Sequence, residues 1–348
     1  MRTFVFLAAL ATIVARLPLQ AQAQSSADAL RAAPASQPPS PGSQAADAFD
    51  PIDTRIVSDP LYLPLKGQIY GVTAYTLDMP KGDNFKAGVN TGSFRSSNNL
   101  INQTLAYGLL NDLTIRLTMG YGINQRDSTA ATTGDVTTGN ASGFSDPTFS
   151  ATYRVLEALR SPVILDLTAF YSPDSIAAKS SGGGNDGTIA RGGRSAGVSL
   201  ALGREMKSFT IAGTAAATDV GQQLTQLLSN GTSSQSDAHW SYDLGLNTQT
   251  RFTDRVSFNA GVSYTTTADY AVSNLVTGNP YTYRPPKTRS LNLALNGHIV
   301  PNRLVAAITY TYDSYTDATN SFAMSASNTA VENRMGNVVG VRLMYAFP

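Results

Sequence analysis

"LTIRLTMGY", Leu113–Tyr121, alternates without a break. Leu113, Ile115, Leu117, Met119 and Tyr121 fall on one side; Thr114, Arg116, Thr118 and Gly120 fall on the other. A period of two specifies a strand, because a helix would repeat its apolar stripe every three or four residues. "HWSYDLGLNTQTRF", His239–Phe252, behaves the same way. Trp240, Tyr242, Leu244 and Leu246 face opposite to His239, Ser241, Asp243, Gly245, Asn247, Gln249 and Arg251. The closing stretch "VVGVRLMYAFP", Val338–Pro348, sets Val339, Val341, Leu343, Tyr345 and Phe347 against Arg342.

The connections between such runs alternate in length. Tight junctions centre near Asn111, Leu159, Met206, Asp254 and Asn302, roughly 48 residues apart. Between them lie long polar segments such as "INQRDSTAATTGDVTTGNASG" and "SPDSIAAKSSGGGNDGTIARGG". A meander with two unlike ends is expected. Its strands are read at 67–78, 98–109, 113–123, 146–156, 162–172, 194–204, 209–218, 238–252, 256–266, 288–299, 304–314 and 336–347. The stretch 79–97 could hold two more short strands and raise the number from about 12 to 14.

The fold class expected is therefore all-β: a transmembrane, antiparallel, up-and-down β-barrel. Spanning strands need about 9–11 residues, with short turns on the periplasmic side and long loops outside. A soluble β-sandwich also alternates, but it has no need of a long connection at every second turn. Only 14% of residues are charged, so the outward faces lack the Lys and Glu of a soluble sheet. Tyr70, Tyr107, Tyr121, Tyr171, Tyr242, Phe252, Phe258, Tyr264, Tyr310 and Tyr345 sit near strand ends, as interfacial girdles would.

The N-terminus fits export. Arg2 precedes "FVFLAALATIVA", 12 apolar residues, and Ala21-Gln22-Ala23 fits a small-x-small cleavage site. Residues 1–23 are read as a signal peptide, 24–66 as a Pro/Ala/Ser-rich periplasmic tether, and 67–348 as the barrel. A segment such as "APASQPPSPG" buries too little apolar surface to offset its ordering entropy.

Composition excludes several chemistries. There are no cysteines and two histidines, His239 and His298, so no cofactor and no metal are expected. A net charge of +1 gives no case for nucleic acid. "SGGGNDG", Ser181–Gly187, lacks the helix that a phosphate cradle needs. Neither histidine lies in the H-x-S-N-G context of the barrel phospholipases, so no enzyme is expected.

The inward-facing charges are the candidate site: Arg116, Arg154, Asp166, Asp243, Arg251 and Arg342. Two readings stand side by side. The arginines form a ladder that holds or selects solute, or they pair with aspartates on neighbouring strands and stiffen the wall. Expected partners are outer-membrane lipid, the barrel assembly machinery through the C-terminal strand, and a small-molecule solute.

Two motifs carry a family likeness. "GFSDPTFSATYRV", Gly143–Val155, resembles the G-x-x-D-P-x-x-x-x-x-Y-R strand opening of outer-membrane proteins of the phenol meta-pathway degradation type. "LAYGLLNDLTIRLTMGY", Leu105–Tyr121, is similar to that family's Y-G-x-x-D-x-L turn and following strand. The resemblance implies an exported barrel that helps a small apolar or aromatic compound cross the outer membrane. The alternative is a structural or adhesive barrel that conducts nothing.

Overall fold

The computed structural model describes residues 57–157, 161–180, 186–206, 208–227, 233–275, 280–300, 303–322 and 328–347. The signal peptide, residues 24–56, the turn centres Leu159 and Asn302, and Pro348 lie outside the described residues.

Strands follow one another along the chain. The first are β1 (Ile69–Asp78), β2 (Lys81–Lys86), β3 (Val89–Gly108), β4 (Leu113–Ala130) and β5 (Val136–Phe144). Then come β6 (Thr148–Leu156), β7 (Ile164–Ser172), β8 (Ala178–Ser180), β9 (Ser195–Met206) and β10 (Phe209–Val220). Next are β11 (Gln223–Leu227), β12 (Ser233–Ser236), β13 (His239–Thr253), β14 (Val256–Thr267) and β15 (Tyr270–Asn274). The last are β16 (Pro280–Arg284), β17 (Thr288–Val300), β18 (Leu304–Tyr315), β19 (Ala318–Phe322) and β20 (Thr329–Phe347).

Twelve of them make the barrel. The antiparallel order is β1, β3, β4, β6, β7, β9, β10, β13, β14, β17, β18, β20. The sheet closes where β20 returns to β1, with Ile69 opposite Phe347 and Asp78 opposite Val338. Closure is what hydrocarbon requires, since no water there can satisfy an open edge. The alternation fixes which side faces lipid. Leu117, Leu244, Ile308 and Val341 are exposed on the outside, whereas Thr114, Arg116, Asn247 and Gln249 are buried within. A continuous belt of exposed large apolar residues fits lipid and would be a liability in water. The chain is an outer-membrane β-barrel.

The stretch 79–97 adds no staves, so the barrel has 12 and not 14. β1 and β2 lie end to end in one position, between β20 and β3, interrupted at Met79-Pro80. The hairpin turns at Ala87 and Gly88, both with positive φ (51° and 77°). β5 and β6 likewise share one position beside β4, interrupted at residues 145–147.

These upper pieces build a second tier. β8 pairs with β11 and β11 with β12. The order then continues through β15, β16 and β19 to the upper part of β20. Between β5 and β8 the ring is completed by the Ala141–Gly187 bridge and by Thr188 N–H donating to the Lys179 carbonyl at 2.8 Å. β3 has 20 residues, about 65 Å at ~3.3 Å per residue, and spanning takes about half of that. The long loops are thus largely an extension of the wall. Within β20, Asn333 sits at φ 52°, where the pairing with β2 shifts by one residue. This bulge lets the upper tier turn relative to the lower one.

Leu117 and Thr118 test the register. Leu117→Arg puts a charge against lipid and should destabilise the barrel by about 2–4 kcal/mol. Thr118→Arg points inward and should retain most stability. Unfolding in urea, followed by the heat-modifiable gel shift, distinguishes the two.

Candidate functional site: the lumen and the segment inside it

The periplasmic half of the lumen is filled by the chain itself. Residues 57–65, assigned above to a tether, are packed inside the barrel, and Val57, Asp59 and Leu61 are almost wholly buried. The tether boundary is therefore corrected. "VSDPLYLPL", Val57–Leu65, carries five large apolar residues, unlike the Ala/Ser/Pro run before it. That surface is enough to draw it out of water.

The segment sweeps across the barrel. Val57 packs with Tyr70, Val305 and Met344, on β1, β18 and β20. Ser58 lies against β13 and β14. Gln249 Nε2 donates to Ser58 Oγ at 2.8 Å, and Asn259 Nδ2 donates to its carbonyl at 3.2 Å. Asp59 accepts from Thr210 Oγ1 at 2.6 Å and from Leu61 N–H at 2.9 Å. Leu61 enters an apolar pocket of Ile164, Ala201 and Ala212. Tyr62 returns to Tyr70, with ring centroids 5.0 Å apart. Tyr70 thus faces inward and belongs to this plug, not to the girdle. Gly108 makes room for the segment. A Cβ there would lie 2.0 Å from the Leu65 carbonyl oxygen.

Among the sequence-derived charges, Arg154 and Asp166, opposite each other on β6 and β7, form a bidentate pair at 2.8 and 2.9 Å. Arg154 Nη2 also donates to the Leu61 carbonyl, so the same guanidinium holds wall and plug. Arg251 and Arg154 supply positive potential at the Asp59 carboxylate. Arg116 is buried beneath Tyr62 and Tyr70, and its Nε has no hydrogen-bond partner. Arg342 lines the central cavity. Asp243 accepts from Thr265 Oγ1 at 2.5 Å. The pairing reading describes Arg154 and Asp166.

Above the plug is a cavity of about 140 Å³. Its lining includes Ser58, Pro60, Asn102, Asn247, Asp313 and Arg342. Sites for small ligands usually span about 300–1,000 Å³. With the plug docked, this space holds only a very small solute. Beyond it, Phe94, Tyr270, Tyr281 and Tyr283 pack together with Val272, Ala318 and Val331 inside the upper tier. Tyr270 also stacks on His239 at 3.8 Å. Tyr270, Val272, Tyr281 and Tyr283 alternate within a segment that the sequence pattern assigns to an outer loop.

The loop between β7 and β9 is held by Asp146. Its carboxylate accepts from Ser175 N–H and Oγ at 2.9 and 3.0 Å, from Ile176 N–H at 2.9 Å and from Arg191 N–H at 3.3 Å. Burial pushes the Arg191 guanidinium down to about 10, with Asp146 opposing. Burial and the nearby Asp146 charge push the Asp174 carboxyl up.

His298 Nε2 lies 3.2 Å from Ser257 Oγ, the contact a hydrolase would need. However, among the described residues its Nδ1 has no hydrogen-bond partner and no third group orients the imidazole. Ser257 instead belongs to a polar network with Gln249 and Asn296.

No family model and no curated protein matches the chain. Solved structures do. An outer membrane channel from Pseudomonas putida F1 has a TM-score of 0.55 at 14% identity, over 82% of this chain and 97% of its own. The transport unit of the autotransporter AIDA-I from Escherichia coli has a TM-score of 0.51 at 11% identity, over 81% of this chain and 90% of its own. At such identities the likeness is one of fold, that of outer-membrane barrels.

Leu61→Asp tests the plug. A carboxylate cannot be accommodated among Ile164, Ala201 and Ala212, so residues 57–63 should leave the lumen. Single-channel conductance in planar bilayers should rise several-fold, while the heat-modifiable shift is retained.

Proposed function

We propose that this barrel is an outer-membrane channel for a small, apolar or aromatic solute, with residues 57–65 as its internal closure. The observation that carries the reading is the inward-facing aromatic cluster of Phe94, Tyr270, Tyr281 and Tyr283, set at the outer mouth. A pore for hydrophilic solutes would expose polar and charged groups there. The solved Pseudomonas putida barrel of similar fold is itself described as a channel. The resemblance to the phenol meta-pathway degradation type points to the same solute class. No step in this reading needs a catalytic group, a cofactor or a metal. Assembly is proposed to engage β20, whose Phe347 lies at the barrel rim.

The segment packed in the lumen also favours a second reading, a structural barrel that conducts nothing. Flux separates the two. Vesicles containing the protein should take up labelled toluene faster than empty vesicles, and planar bilayers should show discrete openings. A folded barrel silent in both assays, with Leu61→Asp also silent, would falsify the channel.

A further inference from the structure

Arg126, in the upper tier, is a buried cation whose surroundings do not account for it. It faces inward from β4 and is 3% exposed. Its Nε, Nη1 and Nη2 are all buried without a hydrogen-bond partner among the described residues. The guanidinium stacks on Phe94, with its carbon 3.9 Å from the ring centroid. Ser96 lies directly opposite Arg126 in the β3–β4 ladder, and Phe94 lies opposite Ser128. Directly opposed residues share a face. The Ser96 and Ser128 hydroxyls are also buried without partners.

Three unsatisfied polar side chains thus converge on one patch beside the aromatic cluster. Arg334, from β20, adds its positive charge nearby, and Tyr283 is the neighbouring ring. The attraction of one aromatic face falls short of the hydration that a guanidinium gives up on burial. Buried polar groups are ordinarily satisfied, so a cluster of donors that is not asks for an acceptor. The acceptor has to be anionic to match the guanidinium. It has to be planar and forked to take two parallel N–H bonds. Its remainder has to be aromatic to lie among Phe94, Tyr281 and Tyr283.

We propose that Arg126, Ser96 and Ser128 form a receptor for the carboxylate of a small aromatic acid, whose ring is held by the outer aromatic cluster. This rests on the channel reading and adds to it the charge class of the solute. Neutral aromatics would pass the cluster without engaging the arginine.

The test is titration calorimetry on the full chain in detergent, with benzoate and its neutral counterpart benzyl alcohol. The unmutated protein should bind benzoate at least tenfold more tightly. Arg126→Met should abolish that preference, and Arg126→Lys, which keeps the charge but loses the fork, should retain part of it. Equal binding of the two probes, or a benzoate preference that survives Arg126→Met, would overturn the proposal. If Arg126→Met fails the heat-modifiable shift, the comparison on unmutated protein and on Ser96→Ala decides. Toluene flux run in parallel keeps the two readings apart. Flux without a benzoate preference leaves the channel and removes the receptor, whereas a preference without flux does the reverse.

Discussion

Every backbone N–H and C=O in hydrocarbon has to find its partner within the protein. That single requirement forces the sheet to close, and closure sets the rest. A ring of 12 strands is wider than the eight-stranded barrel whose side chains alone fill the interior. The periplasmic half then needs only nine further residues to fill it. What enters is held by groups that the wall must satisfy in any case: Thr210, Gln249, Asn259 and Arg154. The wall and its occupant solve one shared problem of unpaired polar atoms.

Much of this was legible in the alternation. A period of two places Arg116, Arg154, Asp166, Asp243, Arg251 and Arg342 on the face opposite to Leu117, Tyr153, Leu167, Leu244 and Val341, and geometry leaves no other choice. What alternation cannot show is where a strand stops and resumes. Pro80 and Pro147 each break a stave that then continues in line, so the upper tier read as loop. For the same reason Arg126 escaped notice: it sits past the part of β4 counted as spanning. The plug was hidden for a different reason. It has no periodicity, since it folds by local turns and by contacts to strands from β6 round to β20, and its composition was averaged with the proline-rich run before it. Tyr70 went astray with it, because its partner Tyr62 lay in a segment thought to be outside.

The motifs behind the family resemblance acquire physical roles. Gly143 takes φ 128°, which favours glycine, just before the break in its stave. Asp146 gathers the β7–β9 loop, and Arg154, eight residues on, ties Asp166 to the plug. Gly108, in the other motif, clears the path of the incoming segment. One short strand, β6, therefore anchors the outer loop at its upper end and the inner closure at its lower end. Motif residues that look like turn punctuation in the sequence are the fastenings between the barrel and what it contains.

The bulge at Asn333 has a consequence for how β20 tolerates change. Below it, even-numbered positions such as Gly336, Met344 and Ala346 are buried; above it, Val331 is. The strand carries two parity rules joined at one residue. A saturation scan along it should therefore show a sensitivity profile that oscillates, slips half a cycle at Asn333, and resumes in antiphase.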